Sequence, residues 1–485
     1  MCRDADLPAG STYNRRVNTV PDLDRLFSPH SVAVAGASTN IDSPGHDYIR
    51  SLKDFGFAGP IYPINPRADQ VAGYLAYPSL ADIPADVDLV ISCVPASAVL
   101  DLIGQCPGRN VRFIHLFTGR LSETGDAEAT KLERQIERAA KAAGVRILGP
   151  NGMGLHHAAA GISFRPDLPR SAGGVAFLSQ SGNNAVETLV RGTARGLRFG
   201  KVANYGNGVD LTPGEMLRYL ADDPETTVIG AYIEGVPDGR GFFEGLSAAA
   251  AKKTVIIHKA GRTSAGARSA SSHTAALAGS TDLWSAAIRQ AGAIEARNQE
   301  QLIDLMVGAS LLPKANGRRA AIVGGGGGRS VQSADAAEES NLQVVPLSDA
   351  IRAQVRAKAP QLADWVGNPV DQSILAGSGL SSNGLLEIML AADEYDLGIA
   401  NVGEDWFFGR PEAEDRLRHA CDRMIEVIAS SPKPVAVVLG ATETETDWQR
   451  TCIDSLRDDF VARGIAVYPS VERACMALDR LAPPR

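Results

Sequence analysis

One histidine lies in a segment of small, polar and cationic residues, 261–279. His273 is near its middle, and Arg262 and Arg268 precede it. The segment has no apolar periodicity and follows the apolar run Thr254–Lys259, so we predict a strand that ends in a long ordered loop. Neutral imidazole is a good nucleophile near pH 7, and arginine pairs with phosphate oxygens. The segment therefore indicates nucleophilic chemistry at phosphorus by His273, with a solvated loop histidine as the alternative.

A cluster of hydroxyl-bearing residues marks a second candidate site upstream of that segment. Ser179, Gln180, Ser181 and Gly182 follow an apolar run and precede a helical pattern, so they form a predicted strand-to-helix turn. Hydroxyls and free backbone N–H groups at a helix N-terminus make a site for an anion. A serine N-cap alone would explain one of the two serines but not both. We therefore predict phosphate binding at this turn.

One carboxylate ends the predicted strand over residues 228–235. Glu234 lies at the carboxyl end of that strand, where it could accept a hydrogen bond from an imidazole and hold its tautomer and orientation. A strand-end carboxylate in water is the alternative. Because ligands bind at the carboxyl ends of strands in open α/β sheets, we predict that the serine cluster, Glu234 and His273 share one edge of one sheet.

A run of five glycines, 324–328, stands between a predicted strand and a predicted helix. Consecutive glycines are costly in backbone entropy, and a close approach of the backbone to a ligand is the usual compensation. The run predicts a second helix N-terminus that faces an anion, with Gly325, Gly326, Gly327 and Gly328 as phosphate-binding residues. A loose turn is the alternative.

Four turns at predicted strand ends make up the candidate site of the first module. Strand and helix patterns alternate there, which indicates a doubly wound parallel sheet. The first turn precedes a helix N-terminus, where backbone N–H groups can hold a phosphate. The Gly-x-Gly-x-x-Gly fingerprint is missing, so a nicotinamide oxidoreductase is disfavoured. The residues of the four turns are Gly36, Ala37 and Ser38, then Asn65, Pro66 and Arg67, then Val94 and Pro95, and finally Asn151 and Gly152.

Length and composition describe an ordinary globular protein. A chain of 485 residues is too long for one core, and we divide it into an N-terminal extension, 1–22, and three modules, 23–150, 151–312 and 317–485. The net charge of −8 argues against a nucleic-acid surface, and no apolar run has the length of a membrane span. Six scattered cysteines and a polar N-terminus without a signal-peptide core indicate reduced thiols and a cytoplasmic protein.

In their order and spacing, these motifs resemble a known family. The chain from Leu23 onward is similar to the α subunit of the NDP-forming acyl-CoA synthetases, the ADP-forming acetate–CoA ligase branch of the succinyl-CoA synthetase superfamily. Any single motif is weak, whereas the combination is specific. The motifs that carry the resemblance are 31–38, 63–66, 149–151, 179–182, 232–235, 261–263 with 272–274, 323–328 and 368–371.

The resemblance implies a fold and a role for each candidate residue. The fold would be a Rossmann-like CoA-binding domain followed by two flavodoxin-like succinyl-CoA synthetase domains. CoA would bind at the turns of the first module, with the acyl and thiol ends near Asn151 and Gly152. His273 would be phosphorylated transiently and Glu234 would support it. The helix N-termini at 179–182 and 325–328 would cradle the phosphate.

The resemblance also implies partners that this sequence does not contain. The chain has no ATP-grasp region, so a separate ATP-grasp β subunit would bind ATP or ADP together with Mg²⁺. The other substrates would be CoA and a small carboxylic acid. We expect a hetero-oligomer with that subunit or a homodimer of this chain, and no metal on this chain.

Two departures from the family pattern leave alternatives open. Relatives commonly carry a cysteine where Gly152 stands here, which bears on the choice of acid, and a basic residue near the position of His46 and Asp47, which bears on the contacts to CoA phosphates. One alternative is a CoA-binding regulatory or scaffold protein of the same fold without turnover. Another is a sibling enzyme of the superfamily that uses a dicarboxylic or aromatic acid.

Overall fold

Three α/β units follow one another along the chain. The structure is a computed structural model, and it describes residues 22–266, 268, 280–410, 412–440 and 446–483. His273 lies outside the described residues. Each unit is built on a five-strand parallel arrangement, which confirms the predicted fold class.

Apolar strands and capped helices build the first unit. All four residues of the strand Val32–Ala35 are buried, as expected for a parallel sheet covered on both faces. The Ser43 side chain accepts a hydrogen bond from the His46 backbone N–H (3.2 Å) and so caps the helix that begins at Pro44. The elements are α1 (Asp24–Phe27), β1 (Val32–Ala35), α2 (Pro44–Asp54), β2 (Ile61–Ile64), β3 (Gln70–Val71), β4 (Tyr74–Leu75), β5 (Leu89–Ser92), α3 (Val99–Gln105), β6 (Phe113–Leu116), α4 (Ala127–Ala143) and β7 (Arg146–Leu148).

The second unit repeats the alternation and adds one antiparallel edge strand. Its strands are almost continuous apolar runs, and its helices begin at Ser, Thr, Asp or Asn caps. The elements are β8 (Gly154–His156), β9 (Val175–Ser179), α5 (Gly182–Ala194), β10 (Phe199–Asn204), α6 (Pro213–Asp222), β11 (Val228–Ile233), α7 (Gly239–Ala250), β12 (Thr254–Lys259), α8 (Thr281–Gln290), β13 (Ile294–Ala296) and α9 (Gln299–Leu311).

The third unit has the same plan. Two of its five strands, near residues 343 and 467, are only two residues long. The elements are β14 (Arg319–Val323), α10 (Gly327–Glu339), β15 (Gln343–Val344), α11 (Asp349–Lys358), α12 (Ser382–Ala391), β16 (Leu397–Asn401), α13 (Ala413–Ser430), β17 (Val435–Val438), α14 (Asp447–Ala462), β18 (Val467–Tyr468) and α15 (Val471–Leu481).

All three sheets share one strand order. The orders are β2-β1-β5-β6-β7, then β13-β12-β11-β9-β10 with β8 antiparallel at the edge, and then β15-β14-β16-β17-β18. In each unit the first and third strands are neighbours, so the chain leaves them in opposite directions and opens a crevice at their carboxyl ends. The three crevices lie after β1 and β5, after β9 and β11, and after β14 and β16.

Ion pairs fix the first unit on the second. Arg146 donates to Asp210 (3.0 Å) and to Glu215 (2.8 Å), and the Ile147 backbone N–H also donates to Asp210 (2.7 Å). The Tyr48 hydroxyl donates to the carbonyl of Met153 (2.7 Å). The last strand of the first sheet, β7, and helix α2 are therefore held against the second unit.

A buried carboxylate joins the second unit to the third. Asp304 is fully buried, and it accepts hydrogen bonds from Arg195 (2.5 Å) and Arg473 (2.6 Å). Glu300, in the first turn of α9, pairs with Arg473 (2.9 Å), in the first turn of α15. Because each of these helices follows the last strand of its sheet, the carboxyl edges of the two sheets open toward the same side.

The start of the segment that contains His273 differs from the prediction. Residues 264–266 and Arg268 are helical, so the prediction of a long ordered loop without helix is wrong for the first turn of the segment. Thr263 explains the turn, because its side chain accepts a hydrogen bond from the Gly266 backbone N–H (3.1 Å).

Among the described residues, no helix is both long enough and apolar enough to cross a bilayer.

Candidate active site

A cleft of about 660 Å³ opens at the carboxyl edge of the second sheet, where the first unit packs against it. It lies at the crevice between β9 and β11, the usual ligand position in this strand order. The lining residues are Phe117, Asn151, Gly152, Met153, Gln180, Ser181, Gly182, Asn183, Asn184, Asn204, Gly206, Asn207, Tyr232, Glu234, Ala260, Gly261 and Gly266. The cleft thus unites the predicted phosphate turn, Glu234 and the beginning of the segment that carries His273.

The N-terminus of α5 forms one wall of the cleft. The Ser181 side chain caps the helix by accepting from the Asn184 backbone N–H (3.4 Å). The Ser179 hydroxyl is buried and donates to the Ser181 carbonyl (2.6 Å), so it shapes the turn from inside. A side chain on Gly182 would collide with Met153. Of the two predicted serines, Ser181 lines the cleft and Ser179 does not.

Gln180 holds the strand end that carries Glu234. Its carboxamide oxygen accepts hydrogen bonds from the backbone N–H groups of Glu234 (2.8 Å) and Gly235 (3.1 Å). The side-chain oxygen of Gln180 therefore positions Glu234. Only the side-chain NH2 group of Gln180 could donate a hydrogen bond to phosphate.

The surroundings of Glu234 combine aromatic and cationic groups. The Tyr232 hydroxyl donates to Glu234 (3.3 Å). The pKa of Tyr232 is raised, mainly by burial and to a smaller extent by the negative charge of this carboxylate. Burial lowers the pKa of Lys259, and the Glu234 carboxylate opposes that shift. The Lys259 ammonium donates to the Ala260 carbonyl and lies 5.2 Å from the centre of the Trp284 ring. Lys259 thus anchors the end of β12, where the segment containing His273 begins.

The opposite wall comes from Phe117 of the first unit and from residues 151–153, which link the first unit to the second. A side chain on Gly152 would lie 2.7 Å from the Asn204 carbonyl, so only glycine fits without a shift there. The Gly152 carbonyl accepts from the buried His115 ring (2.8 Å), and the Met153 backbone N–H donates to the Asn204 side chain (2.5 Å). The sequence did not indicate His115 as a site residue, because its contact is 37 positions away in the chain.

The three turns predicted to bind CoA meet at the crevice of the first sheet. The Asn65 side chain donates to the Ala37 carbonyl (2.7 Å) and accepts from the Arg67 backbone N–H (2.7 Å). Gly36 has φ +80°, and a side chain there would lie 2.9 Å from the carbonyl of Cys93. The turns at 36–38, 65–67 and 94–95 are therefore adjacent, and their binding of CoA stays a prediction.

The glycine run lies at the crevice of the third sheet and does not line the cleft. Gly324 and Gly325 have φ values of +91° and +80°, which favour glycine. Gly324 also packs against the Asn401 carbonyl, whereas a side chain on Gly326 or Gly328 would meet open space. Backbone geometry thus accounts for the first two glycines of the run, and phosphate binding by Gly325, Gly326, Gly327 and Gly328 stays a prediction.

Comparisons with known proteins agree with this architecture. A CoA binding domain matches residues 30–158, and a succinyl-CoA ligase like flavodoxin domain matches residues 172–308. The α subunit of ADP-forming acetate–CoA ligase I from Pyrococcus furiosus is 32% identical over 468 residues, 95% of this chain and 97% of that subunit. This chain belongs to the family of ADP-forming acetate–CoA ligase α subunits. The predicted resemblance is confirmed.

Other members of the acetate–CoA ligase family differ from this chain in length. ADP-forming acetate–CoA ligase II from Archaeoglobus fulgidus is 35% identical over 357 residues, which are 73% of this chain but 52% of that protein. This chain thus spans about half the length of that relative. The dinucleotide-forming acetyl-coenzyme A synthetase 1 of Ca. Korarchaeum cryptofilum, solved in complex with phosphate and ADP, matches with a TM-score of 0.80 and 28% identity over 95% of this chain and 96% of that one.

A substitution at Gly36 tests the prediction that CoA binds at the turns 36–38, 65–67 and 94–95. We expect Gly36→Ala to raise the Kd for CoA at least about tenfold, because the new methyl group displaces the neighbouring turn at Cys93. Gly56→Ala is the matched control, since Gly56 also has a positive φ (+74°) but has no atom near the added methyl group. Isothermal titration with CoA makes the measurement. Equal affinity for CoA in both variants would contradict the prediction that CoA binds at these turns.

Buried histidines predict how the stability of the protein depends on pH. Burial lowers the pKa of His115 and of His156 from the usual value to about 4. The unfolded chain takes up these protons near pH 6.5 and the folded chain near pH 4. Each histidine therefore stabilises the fold fully above pH 6.5, and this contribution is lost as the pH falls from 6.5 through 4. Between pH 7 and pH 5 the loss is roughly 2 kcal/mol per histidine.

His156→Phe isolates this effect. The His156 ring packs edge-on against Phe55 and Phe164. An aromatic replacement keeps these two ring contacts, loses the hydrogen bond between the ring and the Ser163 hydroxyl (3.1 Å) and removes the titration. We expect Tm to fall less between pH 7 and pH 5 in this variant than in the wild type. The exposed His30 supplies the control His30→Phe. An unchanged pH dependence in His156→Phe would show that the ring is protonated in the folded protein.

Proposed function

We propose that this chain is the catalytic α subunit of an ADP-forming acyl-CoA synthetase. It would interconvert acyl-CoA, ADP and phosphate with a carboxylic acid, CoA and ATP, as part of a cytoplasmic hetero-oligomer. The observation that carries the proposal is the composition of the 660 Å³ cleft, where a helix N-terminus, Glu234 and the start of the His273 segment meet the CoA-binding unit.

In the first step, inorganic phosphate attacks the thioester carbonyl of acyl-CoA. The carbon–sulfur bond breaks, acyl phosphate forms, and CoA leaves as the thiol after it takes up a proton. The N-terminus of α5, which begins at Gly182, would hold the phosphate, because helix N–H groups supply positive potential without a proton to lose. Phe117 of the first unit lines the same cleft as Asn151 and Gly152, which supports thioester attack there.

In the second step, His273 attacks the phosphorus of the acyl phosphate. The bond between phosphorus and the acyl oxygen breaks, the carboxylate leaves, and phosphohistidine forms. Glu234 would accept the other ring N–H of His273 and fix its tautomer. Gln180 supports that role, since it holds the backbone of Glu234 in place.

In the third step, the segment that carries phosphohistidine transfers the phosphoryl group to ADP on a partner subunit. The length comparison supports a partner, because the match to the Archaeoglobus fulgidus ligase covers 52% of that protein and leaves about half of it without a counterpart here. We propose an ATP-grasp β subunit that holds the nucleotide and Mg²⁺. The reverse direction makes acyl-CoA at the expense of ATP.

Reconstitution tests the proposal. The chain is mixed with an ATP-grasp protein encoded by the same organism, acetyl-CoA, ADP, phosphate and Mg²⁺, and ATP is measured by luminescence. We expect ATP formation that requires both proteins and phosphate. Binding of CoA without ATP formation and without phosphohistidine would instead favour a CoA-binding regulatory protein.

A further inference from the structure

Tyr232 and Glu234 lie on the same face of the chain at the carboxyl end of β11. Residues two apart along an extended strand point to one face, and both side chains line the cleft of about 660 Å³. The Tyr232 hydroxyl donates to Oε1 of Glu234 (3.3 Å). The steps proposed above give a role to Glu234 and none to Tyr232.

The neighbouring strands fix the position of Tyr232. In the sheet it pairs with Ser179 of β9 on one side and with His258 of β12 on the other. Its carbonyl accepts a hydrogen bond from the Gln180 backbone N–H (3.1 Å). The His258 ring packs edge-on against the Tyr232 ring, with 5.2 Å between the ring centres. The phenol is thus held by rigid elements, as a group that orients another side chain must be.

The Tyr232 hydroxyl also connects Glu234 with the helix N-terminus that would hold phosphate. The Asn184 side chain hydrogen-bonds to this hydroxyl and opposes the rise in the pKa of Tyr232, as expected when an amide N–H donates to the phenol oxygen. Asn184 lies in the first turn of α5, where its backbone N–H donates to the Ser181 side chain (3.4 Å) and its carbonyl accepts from the Gln299 side chain (3.3 Å). Because the phenol oxygen accepts from Asn184, its O–H is directed at Glu234.

The hydroxyl keeps its proton at physiological pH. Burial and the Glu234 carboxylate both raise the pKa of Tyr232, so the phenol remains a hydrogen-bond donor there. A carboxylate has acceptor sites for about four hydrogen bonds. Glu234 can therefore accept from Tyr232 and from an imidazole N–H at the same time.

We propose that Tyr232, oriented by Asn184, is a positioning residue for phosphoryl transfer. Its hydroxyl fixes the rotation of the Glu234 carboxylate, so that this carboxylate meets the imidazole of His273 in one orientation. No bond to Tyr232 forms or breaks, and the phenol acts only through Glu234. This inference rests on the proposed function and adds a residue to its second step.

Tyr232→Phe removes the hydroxyl and keeps the ring contact with His258. We expect single-turnover formation of phosphohistidine, from saturating ATP and the partner subunit, to slow about tenfold. This is the lower end for a hydrogen bond to a charged group, because 3.3 Å is long for an O–H···O bond. The ATP concentration that gives half the maximal rate and the Kd for CoA should not change.

Tyr219→Phe is the matched control for Tyr232→Phe. The Tyr219 hydroxyl also donates to a carboxylate, that of Asp24 (2.7 Å), but Tyr219 does not line the cleft. The control variant therefore loses the same kind of hydrogen bond from the second unit and should form phosphohistidine at the wild-type rate.

A double-mutant cycle separates positioning from general support of the fold. Glu234→Gln removes the group through which Tyr232 acts, so adding Tyr232→Phe to it should change the rate by no more than about twofold. A further tenfold loss in the double variant would show that Tyr232 acts independently of Glu234 and would overturn the inference.

Asn184→Ala is a second variant that leaves Tyr232 in place. Alanine suits a helix, so α5 should be retained. Without the amide that orients the hydroxyl, phosphohistidine formation should slow about threefold, the effect of one neutral hydrogen bond. The same substitution should have no further effect in Tyr232→Phe.

The outcomes separate this inference from the proposed function. If the wild type forms phosphohistidine and Tyr232→Phe forms it at the same rate, the inference is overturned and the proposed function stands. If Tyr232→Phe loses CoA binding through a damaged fold, Asn184→Ala decides, and a wild-type rate in that variant overturns the inference. If the wild type forms no phosphohistidine, the proposed function fails, and the inference fails with it.

Discussion

Replacing His273 with alanine is expected to reduce acyl-CoA ligation by at least about 10⁴-fold in the presence of the partner subunit, because the covalent carrier of the phosphoryl group is lost. Affinity for CoA should not change, since the part of the chain that matches a CoA binding domain is residues 30–158. The measurement is the rate of acyl-CoA formation from acid, CoA and ATP, together with a CoA titration.

The exposed His30 provides the control for that substitution, and His30→Ala should retain full activity. Ligation by His273→Ala at the wild-type rate would rule out a phosphohistidine mechanism. Loss of both activity and CoA binding would indicate a damaged fold and would not support the assigned role.

The second large effect is expected for Glu234→Gln. An amide cannot replace the carboxylate as an acceptor that stabilises a charged imidazole, so phosphohistidine formation should slow by about 10²-fold or more. Glu234→Asp, which keeps the charge, should recover part of the rate. The measurement is single-turnover formation of phosphohistidine from ATP and the partner subunit, with CoA affinity recorded in parallel.

Glu187→Gln is the matched control for Glu234→Gln. Glu187 is an exposed carboxylate on α5, close in sequence to the phosphate turn, and it pairs only with Arg191 among the ion pairs of the described chain (2.7 Å). This variant should form phosphohistidine at the wild-type rate. If Glu234→Gln does so too, Glu234 does not position the histidine.

Much of the fold follows from local pattern. Apolar runs such as Val175–Ser179 and caps such as Ser181 are properties of a few consecutive residues, so the strand–helix alternation and the three units could be predicted. The meeting of the phosphate turn with Glu234 could also be predicted, because parallel strands bring their carboxyl ends to one edge. The structure confirms that both line one cleft.

Roles that depend on contacts between distant residues could not be predicted. Gln180 lies in the predicted phosphate-binding turn, but its side-chain oxygen accepts a hydrogen bond from the backbone of Glu234, which is 54 residues away in the sequence. The close approach of Gly152 to Asn204 and the contact of His115 with Gly152 arise only when the first two units pack together.

Mass spectrometry of the partnered protein tests the central claim most directly. The complex is incubated with acyl-CoA and phosphate, or with ATP and Mg²⁺, and digested under conditions that preserve phosphohistidine. We predict one phosphoryl group, located on His273 and discharged by ADP. A phosphoryl group on a different side chain, or none on the chain while acyl-CoA is being turned over, would contradict the account.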